Sequence, residues 1–175
     1  MSNLSSEIAI PLAYFITFTC YGTWLPHGKS TSVNAKCNTN GHTFLSEHFT
    51  PDCFKLNKAP PVILDFDDRN IIVNTLKEVF LFKNWGLLSA HVRTNHVHVV
   101  VNAPIKPDII LNTFKAYASR NLNKKSVMQN RWTRHGSTQY LWSVENVESA
   151  IKYVIEEQGE PMAVYEDKNR NVVIF

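Results

Sequence analysis

The sequence predicts an α+β sandwich close to the split βαβ arrangement, an antiparallel sheet with helices on one face and a long insertion after the first strand. Three observations carry this expectation. Segments with strand alternation and segments with helical spacing follow one another in the order β, α, β, β, α, β, α. Two strand-like runs are separated only by Thr94-Asn95, the length of a tight hairpin. The stretch between the first strand and the first helix has neither period.

Tyr14 to Tyr21 sets Ile16, Phe18 and Cys20 against Thr17 and Thr19, is dense in β-formers and stops at Gly22, which makes it the first strand. Residues 22–66 are rich in Asn, Thr, Ser, Pro and His and are longer than an ordinary connection, so they read as a functional or mobile insertion. Asp67 and Asp68 can start a helix over about 68–83, with Ile72, Leu76, Val79 and Phe80 as its apolar stripe and Gly86 soon after. Leu87–Arg93 and His96–Asn102 form the hairpin. After Pro104 and Pro107 a helix over about 108–124 places Ile110, Phe114, Tyr117 and Asn121 on one side, at spacings of four, three and four. A short strand follows at Thr138–Trp142. Asn146 is expected to cap a helix that turns Val147, Ile151, Val154 and Ile155 inward and ends at Gly159 and Pro161, and a last strand is expected at Asn171–Phe175.

Composition bounds the function classes. A chain of 175 residues, 44% apolar and 11% aromatic, suits a single domain over 1–175 and excludes wholesale disorder. No run of apolar residues is long enough to span a membrane as a helix, so no membrane partner is expected. Cys20, Cys37 and Cys53 form no C-x-x-C pair and follow an N-terminus without a signal pattern, from which a cytoplasmic location is expected. The net charge of +3 matters through its placement. Lys115, Arg120, Lys124, Lys125, Arg131 and Arg134 fall within 109–144, which contains no Asp or Glu and is interleaved with Tyr117, Trp132, Tyr140 and Trp142. Such a stretch suits phosphate contacts and stacking platforms for single-stranded nucleic acid. No Walker-type loop is present.

His96-Val97-His98 carries the chemistry. On a strand both imidazoles project from one face, and two neutral imidazoles leave positions open on Zn²⁺, Mn²⁺ or Mg²⁺ for a catalytic site. A two-residue hairpin pairs Arg93 with His96 and His91 with His98, on the same face. Arg93 there suits a phosphate ligand. His91 is a second-shell partner, a fourth donor or a buried structural histidine.

These motifs together resemble the HUH-type single-tyrosine transposases, and within them the REP-associated tyrosine transposases. The resemblance rests on the early aromatic strand running into Gly22-Thr23-Trp24-Leu25-Pro26, on Asn95-His96-Val97-His98, on Ala116-Tyr117-Ala118-Ser119-Arg120, and on Arg134–Thr138 followed by Tyr140–Ser143. It implies a ferredoxin-like core and a divalent ion, Mg²⁺ or Mn²⁺, held by His96 and His98. It also implies a polar third ligand one turn after the nucleophile, here Asn121, where some relatives carry glutamine. It implies Tyr117 as nucleophile toward hairpin-bearing single-stranded DNA, in a monomer or homodimer, through a 5′-phosphotyrosine. Tyr153 is assigned to a packing stripe. DNA contacts are expected at Trp24, Arg93, Lys115, Arg120, Lys124, Lys125, Arg131, Arg134 and His135. Two other readings of the same residues stand beside this one: a non-catalytic single-stranded nucleic-acid-binding module, and a metal-dependent hydrolase with a water nucleophile.

Overall fold

The computed structural model describes residues 10–23 and 59–169. Their elements are β1 (Ala13–Thr19), α1 (Phe66–Lys83), β2 (Gly86–Val92), β3 (His96–Asn102), α2 (Pro107–Lys125), β4 (Ser137–Leu141), α3 (Val144–Glu156) and β5 (Ala163–Glu166). The strands form one antiparallel sheet in the order β4-β1-β3-β2-β5. The first four strands have the split βαβ order, with β3 between β1 and β2 and with β1 between β3 and β4. Trp24, most of the insertion and the strand expected at 171–175 lie outside the described residues. The strand that follows α3 within them is β5, which the sequence reading did not anticipate; it pairs with β2 at the sheet edge.

Local chemistry sets the boundaries. Helix α1 begins two residues earlier than expected because Asp65 is its N-cap. The Asp65 carboxylate accepts the Asp68 N–H at 2.7 Å, and the Asp68 side chain accepts the Asp65 N–H in return. The helix ends at Asn84, which takes the left-handed conformation at φ 54°. Pro107 occupies the first turn of α2, where its missing N–H is harmless. The α3 cap is Ser143 rather than Asn146: the Ser143 hydroxyl accepts the Asn146 N–H at 3.2 Å. The hairpin register is the expected one, with His91 opposite His98 and the Arg93 N–H donated to the His96 carbonyl.

The sheet separates two cores. Ile16, Phe18, Val97, Val99 and Val101 pack against Ile72, Leu76 and Phe80 of α1 and Ile110, Phe114, Ala118 and Leu122 of α2. Ala13, Leu88, Val100 and Leu141 pack against Val147, Ala150, Ile151 and Val154 of α3. The α1/α2 pair therefore lies on one face as expected, and α3 departs from that arrangement by crossing to the other. The reason is visible in β3, every residue of which is buried. Val97, Val99 and Val101 satisfy the first core, while the face bearing His96, His98 and Val100 needs a cover of its own.

Gly136 marks the entry to β4 and has no room for a side chain. A Cβ there would lie 2.7 Å from the Thr17 carbonyl oxygen and 3.0 Å from a Leu111 methyl. Gly136→Ala should therefore destabilise the fold by about 1–3 kcal/mol, as overpacked sites do, read as a lowered urea midpoint with an unchanged slope. An unaltered midpoint would contradict this packing.

Candidate metal and nucleophile site

Strand alternation puts His96 and His98 on the α3 side of β3, 6% and 5% exposed. Their ring centroids are 4.6 Å apart. The His96 Nδ1–H is donated to the Asn95 side-chain oxygen at 2.6 Å, and the buried Nε2 lone pair of His96 has no partner among the described residues. His98 Nδ1 is hydrogen-bonded to the Thr17 hydroxyl of β1 at 2.7 Å. Burial, reinforced by the Arg93 charge, lowers the His96 pKa to about 4; burial, reinforced by the neighbouring His96, holds His98 well below the ordinary histidine range. Both rings are thereby kept neutral, the form that donates a lone pair.

Helix α3 completes the cluster. The Tyr153 ring stands 5.9 Å from His98 and 5.7 Å from Phe15, each edge-on, and Phe15 is 5.6 Å from His98. Gln158, just past the helix, lies beside His98 and donates its amide N–H to the Tyr153 carbonyl. His91 is fully buried. With its Nδ1–H donated to the Val154 carbonyl at 3.0 Å, its Nε2 accepts the Met162 N–H at 3.2 Å. Both nitrogens are thus occupied, which makes His91 a structural tie between β2 and the end of α3 rather than a donor to a metal. Half-buried Arg93 donates to the Glu160 carbonyl at 3.1 Å and lies close enough to depress both histidines.

The structure does not bring Tyr117 and Asn121 to this cluster. They sit on α2, across the sheet from His96 and His98. Tyr117 packs on the first core, and the Asn121 amide donates to Thr75 of α1 at 2.8 Å. The four-three-four stripe that singled them out is the stripe that packs α2 onto α1 and the sheet. Sequence reasoning missed Tyr153, Gln158, Thr17 and the orienting role of Asn95. One signal was present: Gln158 follows Tyr153 at the end of a helix, meeting the requirement for a polar group about one turn after a tyrosine.

The expected DNA contacts also divide. Lys115 is buried, donating to the carbonyls of Thr133 and His135 at 2.8 and 3.0 Å over the Phe18 ring, and burial lowers its pKa. Arg131 is buried and ties the end of α2 through Asn123, Ser126 and the Val127 carbonyl. Lys125 is engaged by Asp65 at 2.7 Å and Asp68 at 3.0 Å. The donors of these three are engaged within the protein. Arg120, Lys124, Arg134 and His135 are exposed. Trp24 lies outside the described residues.

Among the described residues no group of three or more His, Cys, Asp and Glu side chains forms a metal cluster. What the site offers is two imidazoles beside the Gln158 amide, and the orphaned buried Nε2 of His96 fits a ligand to a divalent ion. No described helix is long and apolar enough to cross a membrane.

The profile of the IS200-like transposases matches residues 60–158, more than half of the chain, from the approach to α1 through Gln158. No curated protein matches. One similar solved structure is a REP-associated tyrosine transposase bound to a REP hairpin, at 10% identity and a TM-score of 0.50, covering 90% of this chain and 72% of that one. Another is a candidate transposase from Deinococcus radiodurans, at 11% identity and a TM-score of 0.49, covering 90% of this chain and 98% of that one.

Because the folded pKa of each buried histidine is depressed, the unfolded chain binds more protons below about pH 6.5, and stability falls with pH from there. For His96 the loss amounts to ~3 kcal/mol between its unfolded value near 6.5 and its folded value of about 4. In metal-free protein the urea midpoint should therefore drop steadily over this window. A flat profile would show that the histidines are not buried as neutral rings.

Proposed function

The chain belongs to the family of IS200-like transposases, and we propose that it nicks and rejoins single-stranded DNA at hairpin-bearing sites, with Tyr153 as the nucleophile. The meeting of Tyr153 with His98, beside the unpartnered Nε2 of His96, carries this reading. It is the one tyrosine among the described residues placed against the histidine pair on the same face of the sheet. The hairpin DNA in the similar solved structure agrees with the substrate class.

In this reading His96, His98 and Gln158 hold a divalent ion, Mg²⁺ or Mn²⁺. Bound there, the ion would act as a Lewis acid toward the charge that develops on a phosphodiester. The protein's own groups do the rest. Asn95 and Thr17 fix the ring orientations, which is how outer hydrogen bonds tune a ligand. Phe15 and His98 hold the Tyr153 ring edge-on, limiting its rotation. Arg93 adds a positive charge on the same face for the phosphate. The Tyr153 oxygen attacks phosphorus and loses its proton as the bond to the 3′ oxygen breaks. The departing oxygen is protonated to a free 3′-hydroxyl, and a 5′-phosphotyrosine remains. Attack by another 3′-hydroxyl reverses the step and joins strands without a nucleotide cofactor, because the bond energy is kept in the phosphotyrosine.

Incubation with hairpin-bearing single-stranded DNA and Mn²⁺ should give a protein–DNA species on a denaturing gel. Tyr153→Phe should abolish it while keeping the fold, whereas Tyr117→Phe should leave it; an adduct that persists in the first variant, or mass spectrometry that maps it elsewhere, refutes the assignment. Asn95→Ala should weaken Mn²⁺ binding about 10- to 100-fold by calorimetry, since the ring then loses its fixed tautomer. Unchanged affinity would remove His96 from the metal set.

A further inference from the structure

Four tyrosine and tryptophan rings interleave with cations between 109 and 144, and the fold sorts them. Trp132 is buried, its indole N–H donated to Ser119 at 2.9 Å. Tyr117 is faced by the Arg120 guanidinium at 4.8 Å. Tyr140 and Trp142 remain 48% and 54% exposed. Their planes lie within 15° of parallel with centroids 6.1 Å apart, and Tyr14 of β1 braces Tyr140 edge-on at 5.2 Å. Leu141 between them turns into the α3 core, so the two rings share the opposite side of the strand. Among the described residues β4 pairs only with β1, which makes it an outer strand. No Asp or Glu occurs from 109 to 144, and exposed Arg134 and His135 stand on the approach to β4.

We infer that Tyr140 and Trp142 form a stacking platform for an unpaired base of single-stranded DNA, outside the metal and nucleophile site. Two parallel, half-exposed rings offer a π-face that any base can extend, and stacking of this kind is tolerant of sequence. The Tyr14 brace and the strand backbone fix the rings beforehand, so little freedom is lost on binding. A segment without Asp or Glu along the chain, bearing two exposed basic side chains, matches a phosphate backbone. The platform stands at the outer edge of the sheet, on the face opposite the metal site. Ser137 pairs with Thr17, which holds His98, and Tyr140 lies three residues further along β4, about 10 Å away. A strand leaving the metal site would turn over this outer edge to meet the rings. This inference rests on the reading of the chain as an enzyme of single-stranded DNA.

The test is binding of fluorescein-labelled oligo(dT) with chelator present, so that no covalent step intervenes. Tyr140→Ala and Trp142→Ala should each weaken binding about tenfold, while Trp142→Phe, which keeps a ring, should stay within about threefold of the parent chain. Position 142 lies past the last residue of β4, so Trp142→Ala decides the matter if Tyr140→Ala disturbs the strand. Alanine variants that bind within about twofold of the parent overturn the platform, and so does a parent chain that binds no oligo(dT). A dimer by light scattering that becomes a monomer in the double alanine variant, with DNA affinity unchanged, would assign the edge to a second copy of the chain and overturn it likewise. The adduct assay for Tyr153 is run separately with Mn²⁺, so failure of the platform and failure of the nucleophile assignment give different results.

Discussion

Two imidazoles inside a sheet covered on both faces form the constraint from which the site follows. Each buried ring nitrogen must find a partner, because an unpaired buried polar group is unfavourable by about 1–3 kcal/mol. Asn95 answers for His96, Thr17 for His98, and the two ends of the α3–β5 connection answer for His91. The Nε2 lone pair of His96 is left over. Among the described residues that buried nitrogen has the chemistry of a ligand, and α3 brings a tyrosine and an amide to the same place.

The first strand and the paired hairpin strands were legible because their signals are local, whereas β5 was missed. Alternation in Tyr14–Tyr21 and His96–Asn102, and the two-residue link between the hairpin strands, give residue faces and register directly, down to His91 opposite His98. The site was only half legible. The histidine pair follows from alternation alone, but its tyrosine comes from a helix about 55 residues later whose side of the sheet no local pattern encodes. A helical stripe has the same spacing whether it packs or reacts, and Tyr117 lies on a stripe that packs.

Charge misled in a related way. The acid-free stretch from 109 to 144 is acid-free only along the chain: in space the capping carboxylates of α1 meet Lys125. Arg131 and Lys115 spend their donors on backbone carbonyls that loops would otherwise leave unpaired. Cations of this kind build the frame beneath a binding surface. What remains for a polyanion is the smaller exposed set around Arg134 and His135.

The unequal size of the two cores has a kinetic meaning. Among the described residues the α1/α2 side buries the larger apolar cluster, and the α3 side is closed by a short helix over Leu88, Val100 and Leu141. Cooperative units open at free energies that follow the apolar contacts they hold, so the layer bearing Tyr153 is the unit that fluctuates first, while the α1/α2 side stays shut. Amide protons of α3 then exchange ahead of those of β1 and β3. If Tyr153 is the nucleophile proposed above, its mounting on such a layer lets it swing with an attached strand without the rest of the molecule unfolding, and a loss of packing there silences the chemistry long before it reaches the fold.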